Sequence, residues 1–236
     1  MYIIDGRIRY SEIDHNNRIT LPAIVNYFQD CCTFHSEDIG QGFHKLKKEN
    51  HAWILSYWQI VVERYPKMGE QIKVCTWPTG FRGFLGDRNF QMLDEGGTRV
   101  AYAHSVWVYM DMEKGRPVKA PKEMIEYYGV EAPLDMEYES RKVEMAENAE
   151  ELEAFPVRRY HIDTNEHVNN CQYIQMAMEI LEKDVRIRQV RVEYKKSAVY
   201  GDMIVPRIEK NEDRIAVELC DTEGALYAIV EFKEEK

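Results

Sequence analysis

Asp163, Asn165 and His167 lie two residues apart in the run Asp-Thr-Asn-Glu-His-Val-Asn-Asn that spans 163–170. In an extended segment that spacing points an acid, an amide and an imidazole to one side. Directly after them Tyr173, Met176, Ala177, Ile180 and Leu181 recur at helical spacing, so a helix from about 170 to 182 is expected. Asn169 or Asn170 can cap it, because an Asn side chain accepts from the orphan amides of a first turn. The amides left over, and the helix dipole, favour negative charge. Such a place suits an oxyanion beside a water activated by imidazole, which titrates near working pH. Either His167 is the base and Asp163 orients it, or Asp163 is the base and His167 a positioning group. Asn165 would hold the substrate carbonyl or the water. The same spacing also arises from loop and cap residues with an exposed His. Metal binding by Asp163 and His167 lacks an evident third ligand. Cys171, just inside the helix, has the position of a small core residue rather than a nucleophile.

These residues sit in the second of two similar patterns. In the first, residues 2–10 read as a strand and Ser11 to Arg18 as a polar loop. Thr20 and Pro22 then open a helix whose apolar face holds Ile24, Tyr27, Phe28, Cys31 and Cys32. A shorter helical piece reaches Lys48. Strands follow at 53–62, 71–76, 87–93 and 100–110, the last two joined by the turn Asp94-Glu95-Gly96-Gly97. From residue 157 the pattern returns: a strand over 157–160, the motif loop, a helix, and strands at 188–194, 203–208, 214–220 and 226–232. Ile13-Asp14-x-Asn16 matches Ile162-Asp163-x-Asn165, and Gly69-Glu70 matches Gly201-Asp202. Where the second copy has His167 the first has Arg18, which supports one active centre per chain. The spacing predicts an α+β fold in tandem: domains at 1–112 and 157–236, each a long helix on an antiparallel sheet, with a linker over 113–156 running along the surface.

Composition narrows the function. A formal net charge of -10 argues against non-specific nucleic-acid binding. No apolar run approaches a membrane span, and the N-terminus lacks the apolar core of a signal peptide. Five cysteines, an odd number without metal-ligand spacing, suit a reduced cytoplasmic protein.

The motif Asp163-x-Asn165-x-His167-Val168-Asn169-Asn170-x-x-Tyr173 resembles the active-site motif of the acyl-acyl carrier protein thioesterases. In the first half, Trp53-Ile54, Val61-x-Glu63-Arg64-Tyr65-Pro66-x-x-Gly69-Glu70, Thr76-Trp77 and Ser105-x-Trp107-Val108 are similar to that family too. The resemblance runs from about residue 5 to 232. It implies two hot-dog domains in one chain and hydrolysis of the thioester between a fatty acyl chain and the phosphopantetheine arm of acyl carrier protein (ACP). It implies no metal or organic cofactor, and Asp163, Asn165 and His167 as the catalytic positions. One departure stands out. Plant members continue after the next strand with two basic residues, then Glu and Cys. Here Tyr194-Lys195-Lys196 leads to Ser197 and Ala198, so both carboxylate and thiol are missing.

A basic cluster stands against the acidic total: Arg158 and Arg159 before the motif, and Arg186, Arg188, Arg191, Lys195 and Lys196 after it. It suits docking of an acidic carrier protein, with Lys195 and Lys196 as the positions to reverse; ordinary solvated strand charges account for it as well. The alternatives to an ACP hydrolase are an acyl-CoA thioesterase of the same fold, a non-catalytic acyl-binding module and a hot-dog dehydratase. Two fused units can imitate a homodimer, and a homodimer of the whole chain stays open.

Overall fold

The computed structural model describes residues 1–182 and 185–235. Two compact units emerge: Met1–Ser56 with Ile60–Tyr138, and Tyr57–Gln59 with Glu139–Lys236.

In the first unit β1 (Tyr2–Arg7) is followed by a 3-10 turn at Tyr10–Glu12, then α1 (Leu21–Asp38) and α2 (Phe43–Lys48). Strands β2 (His51–Val62), β3 (Gln71–Arg82), β4 (Leu85–Asp94) and β5 (Arg99–Asp111) come next, then the two-residue β6 (Arg116–Pro117) and α3 (Lys122–Tyr128). The sheet runs β1-β3-β4-β5-β2. Its β1–β3, β3–β4 and β4–β5 ladders are antiparallel. Thr20 caps α1 by accepting from the Ala23 amide at 3.3 Å. Leu21, Ile24, Val25, Phe28, Cys31, Cys32 and His35 form its buried stripe. That stripe lies on the sheet, with Phe28 against Phe90 at 5.3 Å between ring centroids and the Cys31 thiol donating to the Val74 carbonyl at 3.4 Å. Full burial of a side chain such as Phe28 or Ile24 contributes about 1.5–3 kcal/mol.

In the second unit the two-residue strands β7 (Glu150–Glu151) and β8 (Phe155–Pro156) precede α4 (Asn170–Met178). Then come β9 (Ile187–Tyr194), β10 (Met203–Lys210), β11 (Ile215–Cys220) and β12 (Leu226–Glu234). The order is β9-β12-β11-β10-β7. The face of α4 carrying Cys171, Tyr173, Ile174, Met176 and Ala177 is buried. The helix ends four residues before the expected 182. Each unit is thus a helix on an antiparallel sheet, the α+β arrangement the periodicity predicts.

Two local expectations are corrected. Residues 157–160 form no strand; the polypeptide turns there into a 3-10 segment, Arg159–His161. Beyond α3, the stretch from 139 to 153 is held by side chains: Glu193 accepts from the Val143 amide at 3.1 Å, Glu218 from Ala146 at 2.9 Å and Glu209 from Asn148 at 2.8 Å. Residues 132–138 are held likewise in the first unit, where Asn89 Oδ1 accepts from the Leu134 amide and the Tyr138 hydroxyl. Second, Arg191 is buried. It sits opposite Glu231 across the β9–β12 ladder, bonded at 2.8 Å, and its other nitrogens reach the Tyr57 hydroxyl and the carbonyls of Ser140 and Lys142. A buried ion pair of this kind carries a desolvation cost that its hydrogen bonds must offset.

Candidate active site

The motif loop is closed by a bridge between Ile162 and Val168 and by the Asp163 amide donating to the His167 carbonyl at 2.8 Å. Asp163 Oδ1 accepts from the amides of Asn165 at 2.8 Å and His167 at 3.4 Å. Glu166 takes a left-handed backbone, φ 62°, a conformation unusual for a residue with a Cβ. The segment is therefore a tight turn, not the extended run that would align three alternate side chains. Asp163 and His167 are half-buried and Asn165 is exposed. What the fold brings together is the Asp163 carboxylate and the backbone beneath the other two residues. Among the described residues no hydrogen bond joins one of the three side chains to another.

His167 is held from the far side as well. It bridges to Val199, and the Val168 amide donates to the Ala198 carbonyl at 2.9 Å. The 197–202 segment is in turn fixed by three groups. The Ala198 amide donates to the Tyr173 hydroxyl at 2.8 Å, and Asp202 Oδ2 accepts from the Val199 amide at 3.0 Å and the Tyr227 hydroxyl at 3.1 Å. Burial, helped by Asp202, pushes the Tyr227 phenol up, and burial lifts Tyr173 to about 12, so both stay protonated at neutral pH. The Gly69-Glu70 match to Gly201-Asp202 was the sequence signal for Asp202: Glu70 accepts from the Lys67 amide at 2.7 Å as Asp202 does from Val199. Tyr227 carried no such signal.

Asn169 caps α4, accepting from the Cys171 amide at 2.9 Å, while its own amide donates to the His161 carbonyl. Gln172 donates back to the Asn169 carbonyl. Among the described residues the Asn170 amide is left in that turn without an acceptor. The expected set of free amides thus narrows to one, a donor of the kind that stabilises an oxyanion. Cys171 is buried, which pushes its thiol to about 12; a neutral buried thiol is inert.

At the point of departure, Ser197 is exposed and Ala198 fully buried. The flanking carboxylates are already engaged, Glu193 with Lys195 and the Val143 amide, Asp202 as above. Neither stands in for the missing Glu.

The first copy repeats this frame bond for bond. Ile13 bridges to Ile19, Asp14 donates to the Arg18 carbonyl at 2.7 Å, and Asp14 Oδ1 accepts from Asn16 at 2.8 Å and Arg18 at 3.0 Å. Asn17 has φ 61° where Glu166 has 62°. Arg18 bridges to Lys67 as His167 does to Val199. The aspartate therefore builds the loop in both copies, and what the second copy adds is an imidazole at the bridging position, His167 in place of Arg18.

Two adjoining segments match one family: residues 4–128 its acyl-ACP thioesterase N-terminal domain and residues 144–232 its C-terminal domain. A palmitoyl-acyl carrier protein thioesterase of Arabidopsis thaliana, named as chloroplastic, is 28% identical over 80% of the chain and 50% of its own length. An oleoyl-acyl carrier protein thioesterase of Coriandrum sativum, also chloroplastic, is 23% identical over 97% of the chain and 68% of its own. The chain spans about half the length of most curated relatives it matches. The fold is shared with an acyl-ACP thioesterase from Bacteroides thetaiotaomicron at a TM-score of 0.89, 24% identity, 99% of this chain and 97% of that one. It is shared equally with the 12:0-ACP thioesterase of Umbellularia californica at 0.87 and 19%, covering 99% and 96%. With hot-dog units in tandem and both family domains matched along its length, the chain belongs to the acyl-ACP thioesterase family.

Proposed function

We propose that this protein hydrolyses fatty acyl-ACP, releasing free fatty acid and the carrier's phosphopantetheine thiol, as a step in fatty acid biosynthesis. The single observation that carries this is the doubled loop: one frame occurs twice, and only the copy matching the family's motif has an imidazole at the bridging position, His167, where the other has Arg18. In the reaction His167 takes a proton from water as its oxygen attacks the thioester carbonyl. The oxyanion that forms is met by the Asn170 amide and the Asn165 carboxamide, a contribution of about 2.7–4 kcal/mol per well-placed donor. The C–S bond then breaks, and His167 returns the proton to the leaving sulfur. Asp163 holds the turn that aims His167 and does not itself take the proton. No step draws on a metal or an organic cofactor.

A reducing cytoplasmic setting belongs to the same proposal and is supported by five buried free thiols. No described helix is long and apolar enough to cross a membrane. The test is a comparison of one acyl chain presented on ACP and on CoA, followed as free thiol. Faster turnover on ACP supports the proposal; faster turnover on CoA points to the acyl-CoA thioesterase, and binding without turnover to a non-catalytic module.

A further inference from the structure

The seven cations around the motif do not form one patch. Arg191 is buried against Glu231, Arg186 pairs with Glu235, Lys195 with Glu193 and Lys196 with Asp221. Arg188 is half-buried on β9. Lys195 and Lys196, the pair singled out from the sequence, are thus already compensated. Arg158 and Arg159 are exposed and have no carboxylate partner among the described residues.

For Arg158 the first copy shows why. There Arg9 occupies the place of Arg158 and is ion-paired with Glu12, which also accepts from the Arg9 amide and the Tyr27 hydroxyl. In the second copy His161 stands where Glu12 stands. Its Nδ1 accepts from the Arg158 amide at 3.0 Å, so the backbone bond survives and the negative charge is gone. Burial and the nearby Arg158 hold His161 below the usual imidazole range, so it is neutral at pH 7.

Beside these arginines the surface is aromatic. Tyr160 is 76% exposed, Tyr200 59% and Val199 42%, and the Arg159 guanidinium lies 5.6 Å from the centre of the Tyr200 ring. Arginine and tyrosine together are the composition of interface hot spots. The patch adjoins the imidazole: the Asn169 amide bonds to His161, and Val199, next to Tyr200, bridges to His167.

We propose that Arg158, Arg159, Tyr160 and Tyr200 form the docking surface for the acidic face of an acyl carrier protein, placing its acylated arm at His167. The proposal rests on the thioesterase activity proposed above. On a chain of net charge -10, an uncompensated pair of arginines beside the imidazole attracts an acidic partner to that face, so it sets orientation as well as encounter rate.

The test uses the full chain as wild type, as Arg158→Glu/Arg159→Glu and as Arg158→Gln/Arg159→Gln. Turnover is measured on acyl-ACP and on an acyl-N-acetylcysteamine thioester. Binding is measured with ACP carrying the acyl group as a non-hydrolysable amide. At low salt the double reversal should lower kcat/KM on acyl-ACP and affinity for the amide by about tenfold or more. The glutamine variant should fall between, added salt should narrow the gap, and the small thioester should be cleaved at the wild-type rate. Equal losses on both substrates, or unchanged affinity for the amide, would overturn the docking surface. So would a change of oligomeric state in the reversed variant, which would make the patch a contact between copies. A wild type that cleaves neither thioester would defeat the proposed activity, while the amide still reports on docking.

Discussion

Asp14→Ala and Asp163→Ala separate what the carboxylate does for the loop from what it does for the chemistry. In each copy one carboxylate oxygen accepts two amides, at 2.8 and 3.0 Å for Asp14 and at 2.8 and 3.4 Å for Asp163. A hydrogen bond to a charged group contributes about 1.5–3 kcal/mol, but these loops are only partly buried and the freed amides regain water, so about 1–2 kcal/mol per alanine is expected. In a chain of this size that is about 2–8 °C in Tm. The Asp14 loss should equal or slightly exceed the Asp163 loss, since its second bond is shorter. Turnover should divide the pair: Asp14→Ala keeps wild-type kcat on acyl-ACP, while Asp163→Ala lets His167 drift and costs about tenfold or more. Asp163→Asn is the decisive third variant. It keeps an acceptor oxygen and loses the charge, so the turn should survive and most of the activity with it. The assays are urea unfolding and thiol release on purified variants. An Asp163→Asn protein that unfolds at the wild-type midpoint yet is as inactive as His167→Ala would refute the positioning role and make the carboxylate the base.

Two further outcomes follow from buried groups. Cys171→Ala should retain wild-type turnover and resist no better or worse to thiol alkylation, with a stability loss of about 1 kcal/mol from the small cavity; loss of activity in a folded variant would restore a role for the thiol. His35 is held down to about 4, first by burial and then by the Arg88 guanidinium at 3.0 Å. The unfolded chain therefore binds the proton first, and the stability His35 contributes is complete above about 6.5 and lost as pH falls from there through about 4, at no more than about 1.4 kcal/mol per pH unit. His35→Asn should flatten that slope between pH 6.5 and 4 in denaturant titrations; an unchanged slope would place the proton uptake elsewhere.

The order of the main elements was legible because apolar periodicity survives in α1 and the long strands: the stripe Ile24-Phe28-Cys31 is on the buried side of α1, and strands read at 71–76 and 188–194 lie within β3 and β9, while α3 went unread inside the expected linker. The repeat was legible too, down to Gly201-Asp202. The site was legible as residue types but not as geometry. Alternation of Asp163, Asn165 and His167 means one side only in an extended chain, and Glu166 breaks the extension with a left-handed backbone. Arg191 read as solvent-facing because strand alternation assumes one wet face, and its burial depends on Glu231, forty positions away in sequence. The same holds for Lys195 and Lys196: whether a surface cation is free depends on carboxylates that only folding brings near. That also hid Arg158, whose freedom comes from a Glu-to-His exchange between copies, and Arg159, which stands where the first copy has Tyr10.

The central claim is that His167 supplies the base for thioester cleavage on ACP. The most direct measurement is single-turnover release of free thiol from acyl-ACP by wild type and His167→Ala, with unfolding midpoints in parallel. The imidazole is half-buried and makes no hydrogen bond among the described residues, so the variant should unfold with the wild type, and release should slow by about 10²–10⁴-fold. Release at the wild-type rate from a folded His167→Ala protein would contradict it.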